Sequence, residues 1–253
     1  MSPQPQTKTN ELIENLNLLR GTGFYADSNS LGWRKIKREC ERLLDVDAAA
    51  GWSVMGMLYA TVGDVEETNA CFARAMKLTN DMAFKLNWCS SLSALGQFVQ
   101  ALELLPEIVQ PQGGEFQAGI MTGMEIGAFK MMGDQLKVAR EMGVDISGLP
   151  VGVIQEAAAI MDGAGITDQD IANHLEAAGA VLRANKAFDV LAGDVLTSQI
   201  AGGLTGITMV LRVVGTPLEV FQLNKALARK ERELEIRKSP AFDILIASAN
   251  EYA

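Results

Sequence analysis

The sequence predicts a mainly α protein: short helix pairs stacked in series over about residues 9–186, then a small α+β unit. Three observations point there. The stretch 51–78, GWSVMGMLYATVGDVEETNACFARAMKL, reads as two short helices back to back, with apolar residues at helical spacing. The same pattern returns 33 residues later, over 82–108. Beyond residue 187 the composition changes to β-branched apolar runs, which favour strands. A helix pair this small cannot bury its apolar face alone, so it belongs in a stack.

Length and composition set the frame. A chain of 253 residues with 48% apolar and 21% charged residues can bury a substantial core. It holds no run of 18 apolar residues, so no membrane span is expected. The opening stretch, MSPQPQTKTNELIENL, lacks the apolar core of a secretory signal. Cys40, Cys71 and Cys89 sit in helical patterns without disulfide or metal spacing, which fits a reducing, cytoplasmic setting. The net charge of −9 is unevenly spread. Residues 1–42 carry seven basic and five acidic side chains, residues 43–204 eight and twenty, and residues 205–253 seven and six. An acidic middle repels phosphate backbones, which argues against nucleic acid as a general partner and favours a basic or neutral surface.

The chain is read in four parts: 1–47, 48–145, 146–186 and 187–253. In the first, residues 9–20 form a helix with Leu12, Leu16 and Leu19 on one stripe. Gly21 and Gly23 break it. A second helix over 31–44 turns Trp33, Ile36, Cys40, Leu43 and Leu44 inward and leaves a basic face of Arg34, Lys35, Lys37, Arg38 and Arg42, read as solvated.

In the second part, Trp52, Met55, Gly56 and Tyr59 lie one turn apart, Gly63-Asp64 marks a turn, and Phe72, Ala75 and Met76 point inward from the next helix. Trp52, Gly56, Tyr59, Gly63, Phe72 and Ala75 together resemble the tetratricopeptide-repeat (TPR) pattern. Thr68 stands where that family prefers a small alanine, and Asn80-Asp81 replace its closing proline. In the second copy Gly96, Ala101, Leu105 and Ile108 keep the register, with Lys85 in place of Trp52 and Trp88 and Leu92 keeping the stripe apolar. Residues 118–143 repeat the pattern loosely, with Phe129 as the aromatic and Gly133-Asp134 as the turn.

The third part holds a helix over about 151–161, a break at DGAG, and a longer helix from Gln169 to about Asn185 capped by Thr167 or Asp168. Ile171, Ala172, Leu175 and Val181 also suit a helix-turn-helix, so a DNA-binding regulator acting through 166–186 is one reading. Against it, only Arg183 and Lys186 offer charge to DNA. In the last part AFDVL (187–191), ITMVLRVV (207–214) and AFDILIASA (241–249) read as strands, and RELEIRK (232–238) alternates as a strand would, with an all-helical reading of 217–238 as the alternative. Thr216-Pro217-Leu218-Glu219 starts a helix that runs to about Lys230.

Chemistry is sparse. His174 is the single histidine, with Asp170 one turn before it, and no nucleophile can be tied to it. It reads as a surface residue. AGGLTG (201–206) lacks the Lys-Ser/Thr of a phosphate loop and reads as a flexible connection. No cofactor, metal site or catalytic group is expected. Five methionines between 121 and 142 are either adaptable core filling or an adaptable binding surface.

The expectation is therefore a non-enzymatic adaptor or regulator, such as a chaperone or antitoxin, that binds another protein through an amphipathic or basic segment. The alternative is an enzyme with its site in the C-terminal strands. The TPR resemblance implies that the first helix of each pair lines a concave groove. It carries partner contact to Ser53, Met57, Ala60 and Thr61, then to Leu86, Asn87, Ser90 and Ala94, and in the loose third copy to Ile120, Met124 and Met131. The cationic clamp that some members use for carboxylate tails is missing, because Ser53 and Thr61 stand where lysines would be needed.

Overall fold

The structure, a computed structural model, describes residues 5–20, 23–187, 194–200 and 204–249. The described residues form eleven helices and a three-stranded sheet at the C-terminal end. The first eight helices are α1 (Pro5–Arg20), α2 (Leu31–Leu44), α3 (Ala48–Ala60), α4 (Val65–Leu78), α5 (Met82–Ala94), α6 (Phe98–Ile108), α7 (Phe116–Glu125) and α8 (Phe129–Glu141). They are followed by α9 (Val151–Ala164), α10 (Asp168–Ala184), β1 (Asp194–Ile200), β2 (Leu204–Val213), α11 (Pro217–Glu233) and β3 (Phe242–Ser248).

Local chemistry sets the helix starts. Ser30, Asp47, Asp64 and Asp81 each accept a backbone N–H of the first turn of α2, α3, α4 and α5. Thr167 with Asp170 and Thr216 with Glu219 close reciprocal capping boxes on α10 and α11. The consecutive pairs α3–α4, α5–α6 and α7–α8 turn at Gly63, Gly96 and Gly127, whose φ angles of 80°, 66° and 77° a side chain rarely adopts. Gly56 leaves room for Phe72, whose ring a Cβ there would meet at 2.7 Å. Phe72 in turn stacks on Trp88 of the next pair, with centroids 6.0 Å apart and planes 7° from parallel.

Two expectations about the elements are corrected. The third pair turns at Gly127; Gly133 lies inside α8, and Phe129 opens that helix. The Gly-Asp at 133–134 matched the turn in composition, but its position falls one and a half turns into a helix. Residues 232–238 are not a strand: α11 runs to Glu233, because the inward stripe Leu223, Leu227, Glu231 continues at helical spacing. The strand expected at 187–191 lies mostly outside the described residues, apart from Ala187, which bridges Phe24. The glycine-rich 201–206 is described only from Leu204, already within β2.

In the sheet, β2 is central, antiparallel to β1 and parallel to β3, with α11 as the crossover. Ile207, Met209, Leu211 and Val213 share their buried face with Phe242, Ile244 and Ile246. The apolar core falls into two clusters. One spans Leu12 to Phe72 across α1–α4, the other Leu86 to Ile246, and Trp88 packs against both. The second cluster runs without a break across residues 146 and 187, where composition changes.

Helix α10 organises the second cluster. Helices α6 and α8 lack a side-chain cap of their own. Glu176 of α10 accepts Val99 N–H in the first turn of α6 (3.2 Å), and Asp168 accepts the Lys130 and Met131 N–H groups of α8 (3.0 and 2.9 Å). The turn glycines dock on the same helix: a Cβ on Gly96 would lie 2.5 Å from Gly179 Cα, and one on Gly127 would strike Ile171. Nine residues of α10, His174 among them, are buried. Helix α10 packs against α6 and α11, and the stripe it leaves open, Gln169, Asn173 and Ala184, offers no basic side chain to a DNA groove.

Candidate partner-binding groove

A groove of about 760 Å³ opens where α1, α3 and α5 meet. That is within the range of about 300–1,000 Å³ typical of ligand sites. Thr9, Asn10 and Ile13 line it from α1, Asp47, Ala50, Ser53 and Val54 from the start of α3, and Asp81, Ala83, Phe84 and Asn87 from the start of α5. Ile13, Val54 and Phe84 supply apolar wall. Asp47 and Asp81 sit at the N-terminal ends of their helices, each with Oδ1 committed to its cap (to Ala50 N, 3.0 Å, and Ala83 N, 2.9 Å). No basic side chain lines the groove among the described residues. Ser53 is 1% exposed, and its Oγ is the one buried side-chain polar atom without a hydrogen-bond partner among the described residues. An unpaired buried hydroxyl costs about 1–3 kcal/mol.

Of the residues carried over from the resemblance, only Ser53 and Asn87 line this groove. Ser53, Met57, Ala60 and Thr61 are buried, which corrects their assignment to an open surface. Met57 belongs to the apolar cluster of α1–α4, and segment 23–30 folds over the end of α3: Ala26 N–H donates to Thr61 O (2.8 Å) and Tyr25 rests on Gly63. Trp33 adds a long Nε1–H bond to Leu58 O (3.4 Å). Leu86 and Ile120 are core residues of the second cluster, and Met124 and Met131 pack half-buried against it. Ser90 is half-buried and pairs with Thr122 Oγ1 between α5 and α7 (3.4 Å), while Ala94 is half-buried near the end of α5. Of the five methionines between 121 and 142, Met132 is buried in the core, Met124 and Met131 are half-buried against it, and Met121 and Met142 are exposed; none lines the groove. Sequence reasoning missed the whole contribution of α1, because nothing in residues 9–13 says which helix they lie against.

The second polar cluster lies far along the chain. His174 is 5% exposed, not a surface residue. Its Nδ1 faces Glu231 Oε1 at 2.7 Å and its Nε2–H donates to Arg237 O at 3.2 Å. Lys238 Nζ lies 2.6 Å from Glu231 Oε2, and the imidazole meets Phe242 edge-on at 5.3 Å. The cluster borders a cavity of about 140 Å³ with Asp170, Ser239 and Pro240. Both ring nitrogens are engaged, so the histidine ties α10 to α11 and to the segment before β3 instead of presenting a base. A signal was available: His174 lies three residues after Ile171 and seven before Val181, on the buried stripe, and Glu231 follows Leu227 by four on its own.

Burial pushes the thiols of Cys40 and Cys89 up to about 12 and that of Cys71 up to about 11. None is poised as a nucleophile. No group of acids, histidines and cysteines among the described residues could hold a metal ion, and no described helix is long and apolar enough to cross a membrane. No protein-family model, curated protein or solved structure matches the chain.

Proposed function

We propose that this chain is a protein-interaction module, an adaptor or chaperone without catalysis of its own, that holds a segment of a partner protein between α1, α3 and α5. The observation that carries this reading is the groove: three helices converge on it, with apolar walls from Ile13, Val54 and Phe84. Helix pairs in series offer such a surface because the first helices of successive pairs lie side by side, here α3 beside α5. The position of the groove is in keeping with the TPR resemblance, though it involves fewer of the residues that resemblance implies. An enzyme in the C-terminal unit is less well supported, since its most suggestive residue is tied at both nitrogens.

The test is site-specific photo-crosslinking in cells of the source. A photoreactive phenylalanine at Asn10 or Asn87 should give one discrete adduct that maps to a single segment of one protein. The same probe at exposed Lys137 on α8 should not. Equal labelling from both places, or none from the groove, would refute the proposal.

A further inference from the structure

The contacts of His174 fix where its protons are. Nδ1 faces Glu231 Oε1 at 2.7 Å, and Nε2 faces the Arg237 carbonyl oxygen at 3.2 Å. A neutral imidazole has one N–H, so beside an ionised glutamate it would leave one of these contacts as two lone pairs face to face. The arrangement therefore holds one proton more than that. The extra proton has two places to sit, the ring or the Glu231 carboxyl, and Lys238 decides between them. Its ammonium lies 2.6 Å from Glu231 Oε2 and favours the ionised carboxylate. Asp170, one turn earlier on α10, borders the same cavity as a second anion, held below the ordinary carboxylate range chiefly by its hydrogen bonds with Thr167. Arg237 and Lys238 are the cations there, and the cavity residues from the end of α9 and from β3, among them Ile166 and Phe242, bring no charge.

We propose that His174 is an imidazolium in the folded chain, and that its second proton latches the link between α11 and β3 (residues 234–241) onto α10. Glu231 is then one buried carboxylate shared by two cations, His174 and Lys238. When the ring gives up a proton, Nδ1–H stays with the carboxylate and the Arg237 carbonyl loses its donor. The link keeps its short-range bonds, from Ile236 N–H to Glu231 O, Ala241 N–H to Ser239 Oγ and Phe242 N–H to Ser239 O, but not its bond to α10. The fold favours the protonated ring, so the latch is closed in neutral solution and opens as pH rises.

The chain has one histidine, so nitrogen-15 labelling of histidine gives a single pair of ring resonances from the intact protein. At a pH of about 7.5, about one unit above the point where a free imidazole is half protonated, both nitrogens should show the protonated shift. An unprotonated Nδ1 would place the proton on Glu231, and an unprotonated Nε2 would make the ring neutral; either result overturns the imidazolium. Glu231→Gln keeps the shape and removes the counter-charge, so one nitrogen should be unprotonated in that variant at the same pH. A doubly protonated ring there would mean that Glu231 does not hold the proton, and if the variant does not fold, the wild-type spectrum decides alone. Hydrogen exchange, corrected for intrinsic rates, reads the latch. Protection of the Ile236, Ala241 and Phe242 amides should fall about tenfold as the wild-type ring loses its second proton, the factor expected for one hydrogen bond from a charged donor. Protection that does not follow the ring's titration would overturn the latch.

Discussion

Substituting Gly179 by alanine tests how the helix stack is joined to the rest of the molecule. In a helix interior alanine is favoured over glycine by about 0.8–1.0 kcal/mol, so propensity alone makes the change stabilising. The structure reverses the sign. A Cβ on Gly179 would lie 2.6 Å from Gly96 Cα and closer still to Gly96 O, and these are backbone atoms that cannot swing aside. Overpacking costs about 1–3 kcal/mol where side chains can yield, and a backbone neighbour pushes it to the upper end. The net expectation is a loss of about 2 kcal/mol. Gly133→Ala is the paired control: it lies inside α8 with only Ala158 Cβ nearby, at an ordinary 3.6 Å. It should gain up to about 1 kcal/mol. Urea denaturation with a common slope reads both from the shift in midpoint. A Gly179→Ala midpoint at or above wild type would refute the close crossing of α10 on the Gly96 turn. A large loss at Gly133 would restore a turn there.

Three further outcomes follow. Phe72→Ala, which empties the site between Gly56 and Trp88, should cost about 3–5 kcal/mol by chemical denaturation; a loss under about 1 kcal/mol would mean the ring is not in the core. His174→Ala should destabilise by about 2–4 kcal/mol, somewhat below the usual cost of breaking a buried pair because Lys238 still serves Glu231; a neutral result in the same assay would remove the histidine from the interior. With thiols held at about 11 to 12, a disulfide reagent at pH 8 should label none of the three cysteines in the native chain within minutes and all three in denaturant; the raised values mean that native thiolate appears only as the pH climbs toward them.

The parts that were legible in the sequence share a physical reason: they depend on residues close in the chain. The helix from Leu31 to Leu44, the turns at Gly63 and Gly96, the Thr216–Glu219 cap and the central strand all follow from spacing and capping chemistry within a few positions. What was missed depends on contact at a distance. β1 is a polar strand, DVLTSQI, that is a strand because β2 pairs with it. The groove needed α1 laid beside α3 and α5, the burial of Met57 needed the cluster of α1–α4, and the cover over Thr61 needed a loop that arrives from residue 26. His174 was misplaced for a different reason: a titratable side chain was weighed by its chemistry when its position on the helix already said interior.

The reach of α10 has a mechanical consequence. Asp168 and Glu176, which cap α8 and α6, are eight residues apart, and so are Ile171 and Gly179, which receive the turns at Gly127 and Gly96. At about 1.5 Å per residue this sets two successive helix pairs about 12 Å apart, as marks on a rule. A stack of helix pairs left to itself can wind or unwind, since each pair touches only its neighbours. Here α10 splints the second and third pairs. The first pair is joined to it less directly: its turn at Gly63 rests on Tyr25 of the covering loop, and that loop bridges from Phe24 to Ala187, just past α10. The groove therefore straddles two modes of support, with α5 in a pair that rests on α10 itself and α3 in a pair that reaches it through a loop.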